Sequence, residues 1–367
     1  MPVKKNILIV CNSQFAYEKF IFETEKFYKK NNYFVDVIIG SDLKKKNINN
    51  KYFIKFPYYK IMSYIYFFLT PFLILKVLNK KNYDIIVHNN RNASICSRLA
   101  LFFYKKKIVS VYFARGMYFH DDQNFLLKAL SFLIEVFLLI KTNIVLSQTK
   151  EDLIKMNFFL KLLKVKYFYI GNGIDIYKFQ PNKRICKKNI FSTTCRVTKG
   201  KGLEILLSSF NKLLLTNKDI KLVIIGGPIT VADEMYLRKL KNKFNHLFDL
   251  KKIKITGLTK KVNYFLNKSK FYVHPSFREG LPRSLLEAMS SGNIPIASRI
   301  RGSREVIKNK INGYLYNAYS KEDLYKIILK VTKMSNFKLH KMRHRSIFTI
   351  KKNYNLTKYL SNQLKYL

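Results

Sequence analysis

The chain has 367 residues, 48% hydrophobic and 25% charged, which is a globular composition too long for one ordinary core, so two domains are expected. Sixty-nine Lys plus Arg against 22 Asp plus Glu leave +47, spread over both halves rather than gathered in a tail or stripe, which disfavours a dedicated nucleic-acid binder. Four cysteines (Cys11, Cys96, Cys186, Cys195) without CxxC spacing, and only six histidines, argue against a disulfide scaffold or a metal centre; with no signal-peptide pattern at the N-terminus, a cytoplasmic setting is expected.

In chain order, short β-branched runs alternate with longer helical stretches. Strands are expected at residues 6–11, 34–39, 85–88, 108–113, 143–146 and 167–170, with helices such as 16–30 and 93–104 between them. Two apolar stretches interrupt this rhythm. Residues 61–75 are uncharged but contain Pro71, and they are short for a spanning helix; their basic flanks and many aromatics suit a helix lying in a lipid headgroup region. Residues 125–140, broken by Lys128 and Glu135, read slightly better as a buried core helix. Around 171–188 the pattern lapses into Gly171-Asn172-Gly173 and Pro181, and the domain junction is placed there. The second half then resumes with strands at 190–193, 221–225, 253–256, 271–274 and 294–297. The alternation predicts βαβ units, hence an α/β fold with parallel sheets. The expected pieces are 1–170, 171–345 and a C-terminal helix over 346–367 that packs back on the first domain.

Glycines separate the halves: only Gly40 and Gly116 precede residue 171. Any phosphate-approaching loop is therefore expected in the second domain. Cys11-Asn12-Ser13-Gln14 follows the first strand where a dinucleotide fold would carry GxGxxG, and no GxxxxGK[ST] occurs. In the second half, Arg196 and Lys201 lie between a strand and the helix at 203–215, with Gly200 and Gly202 around them, an arrangement suited to clamping a diphosphate. Gly226-Gly227-Pro228 adds a second close-approach loop at the carboxyl ends of the strands. Glu279 follows the strand at 271–274, Gly280 and Leu281 lead into a helix over 282–291, and Glu287 sits two helical turns after Glu279. The amides of Gly280, Leu281 and Arg283 near that helix start are suited to an anion or a sugar hydroxyl, and the two carboxylates to the polyol groups of one elongated ligand. Taken singly, each motif is also compatible with solvated surface charge.

As an ordered series these residues resemble the retaining, nucleotide-sugar-dependent glycosyltransferases of family 4, with the two-Rossmann GT-B fold. The similarity is carried by Asn172-Gly173-Ile174-Asp175 with Phe179 and Pro181, by Arg196-Val197 with Lys201-Gly202, and by Glu279 and Glu287 with seven residues between them. Pro295, Gly302, Glu305 and Asn312-Gly313 continue it. The resemblance implies two Rossmann-like domains whose sheets face a central cleft. It implies that Arg196 and Lys201 neutralise the donor pyrophosphate, with Gly227 beside them. Glu287 would hold the ribose, and Glu279 would meet the transferred sugar with the amides of Gly280 and Leu281. It also implies retention of anomeric configuration with no metal or cofactor; cations and a helix N-terminus stabilise the leaving group.

The first domain departs from that pattern. Arg115 stands where relatives often carry a histidine, with His120 as the possible substitute on the acceptor side. The expected activity is transfer of a hexose or N-acetylhexosamine, from a UDP-linked donor in preference to a GDP-linked one. The expected acceptor is lipid-linked or a polysaccharide, as in O-antigen or capsule synthesis, at an anionic membrane surface. The alternatives are a catalytically silent scaffold of the same fold and a basic nucleic-acid-binding protein.

Overall fold

The computed structural model describes residues 5–41, 50–57, 63–116, 124–215 and 219–367. The chain divides into two compact units, Met1–Gly171 with Leu360–Leu367, and Asn172–Tyr359.

The first unit opens with β1 (Asn6–Cys11), whose Ile7, Leu8, Ile9 and Val10 are wholly buried, as the centre of a parallel sheet requires. Ser13 caps α1 (Gln14–Ala16), accepting from the Ala16 amide at 3.2 Å; a π-helical turn (Tyr17–Ile21) joins it to α2 (Phe22–Lys30). There follow β2 (Phe34–Gly40), β3 (Lys51–Ile54), α3 (Ser63–Leu78), β4 (Ile85–Asn89), α4 (Arg91–Ala100), β5 (Val109–Ala114), α5 (Phe125–Leu139), β6 (Ile144–Ser147), α6 (Lys150–Leu162) and β7 (Lys166–Tyr169). The sheet runs β3-β2-β1-β4-β5-β6-β7, every pairing parallel, with Ile7 opposite both Val35 and Ile85. β3 was not expected: Lys-Tyr-Phe-Ile lacks the β-branched run that marks the other strands.

The second unit comprises β8 (Lys188–Thr194), a 3₁₀ turn (Lys199–Lys201), α7 (Leu203–Leu214), β9 (Lys221–Ile225), α8 (Val231–Lys243), α9 (Asn245–Asp249), β10 (Ile253–Ile255), α10 (Val262–Lys268), β11 (Ser269–His274), α11 (Arg283–Ser290), β12 (Ile294–Ser298), α12 (Arg301–Val306), β13 (Tyr314–Tyr316), α13 (Lys321–Thr332) and α14 (Asn336–Asn353). α15 (Leu356–Lys365) carries the chain into the terminal residues grouped with the first unit, where Tyr366 stacks on Phe168 and Gln363 accepts from the Tyr28 hydroxyl at 3.1 Å. The six-stranded parallel sheet runs β10-β9-β8-β11-β12-β13, so the strand order reverses between β8 and β11. Loops leaving the carboxyl ends of those two strands are where such sheets take ligands. β13, three residues long, also escaped the sequence pattern.

Residues 125–140 do not form the buried core helix expected of them. On α5 the buried residues are Ser131, Glu135, Leu138 and Leu139, while Leu126, Leu130 and Leu133 stand 72%, 55% and 63% exposed. Among the described residues no helix is long and apolar enough to cross a membrane.

Candidate functional site: the carboxyl ends of strands 8, 9 and 11

Gly202 lies between the 3₁₀ turn and α7 at φ +64°, and a Cβ there would fall 2.0 Å from the Pro275 carbonyl oxygen. Only glycine lets the loop after β8 press so closely on the loop after β11. The Phe277 amide donates to the Gly200 carbonyl at 3.1 Å, and the Ser298 hydroxyl to the Ser276 carbonyl, tying the same loops and the end of β12 together. This packing delivers the Lys201 ammonium to the Glu279 carboxylate as an ion pair, and Ser276 Oγ donates to the same Oε1 at 3.1 Å. Burial disfavours the Glu279 charge. Lys201, His274 and the two hydrogen bonds outweigh burial, so the carboxyl is held below its ordinary value.

Arg196 does not join that pair. Its Nε donates to Asp233 Oδ2 at 2.5 Å and its Nη2 to Thr230 Oγ1 at 3.2 Å. Asp233 also closes the capping box of α8, accepting from the Ile229 and Thr230 amides at 3.0 Å each. Against the cost of burial, these donors bring the Asp233 carboxyl down to about 2. The sequence signals the box as Thr230-x-x-Asp233 but not the guanidinium it holds. Gly227 adjoins the same loop: its carbonyl accepts from the Val197 amide at 3.0 Å, and a Cβ on it would meet Gly257 Cα at 3.2 Å.

Leu281 is buried, and its carbonyl accepts from Asn172 Nδ2 at 3.0 Å. Pro282 precedes the first residue of α11 without a side-chain cap, and its carbonyl accepts from the Leu285 and Leu286 amides at 3.2 and 3.3 Å. α11 packs Leu285, Leu286, Ala288 and Met289 into the core and leaves Glu287 half-buried. A Cβ on Gly302 would lie 1.5 Å from the Gly280 carbonyl oxygen, so α12 fits against this loop only with glycine there. Asn312 builds the turn before β13, accepting from the Lys308 amide at 2.8 Å and donating to the Val306 carbonyl at 3.1 Å.

Sequence reasoning also missed His274. Its ring is buried beneath the Lys201–Glu279 pair, stacked on Tyr272 at 6.4 Å, with Nε2 unpartnered among the described residues. Burial lowers it to about 4, Glu279 opposing and Lys201 adding to the effect, so the imidazole is neutral near pH 7. Burial also pushes the Cys195 thiol up to about 12, which removes it as a nucleophile. His120 lies outside the described residues; Arg115 donates to Asn89 Oδ1 at 3.2 and 3.1 Å and lies over the Phe20 ring. A nearby hollow of about 230 Å³, lined by Lys199, Glu204, Tyr236, Lys239 and Phe277, shares Gly202 with these loops but none of the expected ligand-binding residues.

Two parallel α/β sheets, with cations, a carboxylate and close-approach glycines at the switch point of the second, define a GT-B-type protein. Residues 176–352, just under half of the chain, match the family model of glycosyl transferases group 1, and the chain resembles that group. Over 277 residues, 71% of this chain and 69% of the relative, it is 26% identical to the UDP-Gal:alpha-D-GlcNAc-diphosphoundecaprenol alpha-1,3-galactosyltransferase of Escherichia coli. In fold it is similar to a glycosyltransferase from Rickettsia africae ESF-5, with a TM-score of 0.75 and 19% identity over 99% of this chain and 98% of that one. Anabaena Alr3699/HepE, solved in complex with UDP and glucose, gives a TM-score of 0.76 at 15% identity over 98% of both chains.

Proposed function

We propose that the chain transfers a hexose or N-acetylhexosamine from a nucleotide-diphosphate sugar, with a UDP-linked donor favoured, to a lipid-linked or polysaccharide acceptor in bacterial surface-glycan synthesis. The carrying observation is the convergence of Lys201 and Glu279 at the β8–β11 switch point, with Arg196, on the same loop as Lys201, held by Asp233 of α8. The activity of the E. coli relative, transfer of galactose from UDP-Gal to a diphosphoundecaprenol-linked sugar, supports the donor and acceptor classes.

In this reading Lys201 and Arg196 face the diphosphate, and the charge that develops on the leaving phosphate falls where two cations are already held. The Glu279 carboxylate, kept ionised by Lys201, accepts hydrogen bonds from hydroxyls of the transferred sugar, and Glu287 accepts from the ribose. The bond from the anomeric carbon to the phosphate oxygen breaks, and the bond from that carbon to the acceptor oxygen forms on the same face. The acceptor proton passes to the departing phosphate oxygen, which retains the configuration without a bound metal.

Titration calorimetry with UDP, GDP and their sugar conjugates tests this. One base should bind, and Arg196→Ala and Glu287→Ala should each weaken it by about tenfold or more, the cost of a hydrogen bond to a charged group. If the folded protein bound none of them, the transferase reading would fail and a scaffold role would replace it.

A further inference from the structure

α5 is built inside out. Its one acidic residue, Glu135, points into the protein and pairs with the wholly buried Arg98 at 2.9 Å, whose guanidinium also lies 4.1 Å from the centre of the Tyr112 ring. Its leucines at 126, 130 and 133, with Phe137, follow the helical repeat along the opposite, exposed face. The buried ion pair therefore fixes the helix with its apolar stripe outward. A helix serving only the core would turn that stripe in.

The face extends beyond α5. On α6, Ile154, Phe158 and Leu162 are spaced four apart and exposed at 74%, 68% and 62%. On α3, Ile65, Phe68 and Phe72 are exposed at 58%, 69% and 50%. Aromatic contacts join these stripes: Phe72 to Phe103 at 5.5 Å, Phe102 stacked on Phe137 at 5.1 Å, and Phe132 to Phe159 at 5.4 Å. Contiguous apolar surface on this scale marks an interaction site.

Charge identifies the occupant. Lys105, Lys106 and Lys107 follow Phe102 and Phe103 after the buried Tyr104, Lys141 lies 5.1 Å from the centre of the Phe102 ring, and exposed Lys161 and Lys164 bracket Leu162 and Leu163. A two-fold pairing of copies through this face would set lysine against lysine. An anionic lipid surface takes both features, since the leucine and phenylalanine side chains enter the acyl boundary while the ammonium groups stay among phosphates.

We propose that α3, α5, α6 and the Phe102–Phe103 turn form one docking face for an anionic bilayer, on which the protein lies without spanning it. The face belongs wholly to the first unit. It gives the lipid-linked acceptor of the proposed function a place from which to be reached, yet its binding does not depend on that reading.

The test is co-sedimentation of the full chain with vesicles of phosphatidylcholine alone and of phosphatidylcholine with phosphatidylglycerol, in low and high salt. Wild type should pellet with the anionic vesicles, less so in high salt. The triple variant Leu126→Glu, Leu130→Glu, Leu133→Glu changes only exposed positions and should lose at least about tenfold in partitioning. Lys105→Glu with Lys107→Glu should weaken binding to the anionic vesicles alone. Wild type left in the supernatant with both lipids, or unaltered partitioning of the leucine variant, overturns the proposal. So does light scattering that shows a dimer which the leucine variant dissolves, because the occupant is then a second copy. Nucleotide calorimetry on the same samples keeps the two readings apart: vesicle binding without nucleotide binding would sink only the transferase reading.

Discussion

Gly302 carries no chemistry, yet it decides where Gly280, and with it Glu279, can stand. Its backbone is not in the left-handed region, so the demand for glycine is purely steric: a methyl group would sit 1.5 Å from the Gly280 carbonyl oxygen and 2.8 Å from Pro282 Cδ. Both obstacles belong to the main chain or a rigid ring and cannot swing aside. Gly302→Ala must therefore displace either α12 or the loop that pairs Glu279 with Lys201. The expected result is a stability loss of about 1–3 kcal/mol, typical of overpacking, together with weaker nucleotide-sugar binding. Urea titration and calorimetry measure the two effects, and an alanine variant equal to wild type in both would contradict the close approach. At this scale the sequence marks Lys201 and Glu279 through loop position and spacing. It is silent on Asp233 as the partner of Arg196, and on His274 beneath the ion pair, because those contacts join residues 37 and five positions apart through the fold rather than through any periodic pattern.

Elements were legible where a single physical pressure dominated. Asn-Ile-Leu-Ile-Val-Cys is buried on both faces and reads as a central strand; Lys51–Ile54 and Tyr314–Tyr316 are short and mixed, and only pairing within the sheet makes them strands. α5 was misread because composition reports that a helix is apolar but not which face is covered. The buried partner of Glu135, Arg98, lies 37 residues away on α4 and has no local signature. That pair makes a sharp prediction. Arg98→Met leaves the Glu135 charge buried without compensation and should cost about 3–5 kcal/mol in urea unfolding. Adding Glu135→Leu removes both desolvation penalties and should restore most of the loss. A double variant as unstable as the single one would mean that shape at this site, rather than charge pairing, holds α5 in place.

At the scale of the whole molecule, each unit buries one neutral histidine among the described residues, and this sets a shared response to acid. In the first, His88 Nδ1 lies 2.6 Å from Ser97 Oγ and Nε2 lies 2.9 Å from Ser110 Oγ; burial, with Arg98 adding to it, holds the ring well below the ordinary histidine value. In the second, His274 falls to about 4 against an ordinary 6.5. A group whose folded value is depressed takes up its proton more readily when unfolded, so lowering the pH favours the unfolded state. For His274 the loss begins near pH 6.5, accumulates down to pH 4 and then stops, with an upper bound of about 3 kcal/mol at 1.36 kcal/mol per unit. Glu279 follows in sequence, because its carboxyl is depressed and its contribution disappears only as the pH falls below the ordinary carboxylate range. His274→Gln cannot gain a proton in that window. Its stability relative to wild type should therefore rise steadily as the pH is taken from 6.5 to 4, whatever fixed cost the substitution carries at pH 7. The chain contains no tryptophan and 25 tyrosines, so urea unfolding is best followed by far-ultraviolet circular dichroism. Repulsion from a net charge of +47 also grows in acid, but it acts on wild type and variant alike and cancels in the difference. If the two stability curves ran parallel from pH 6.5 to 4, His274 would not be the buried neutral base that its surroundings make it.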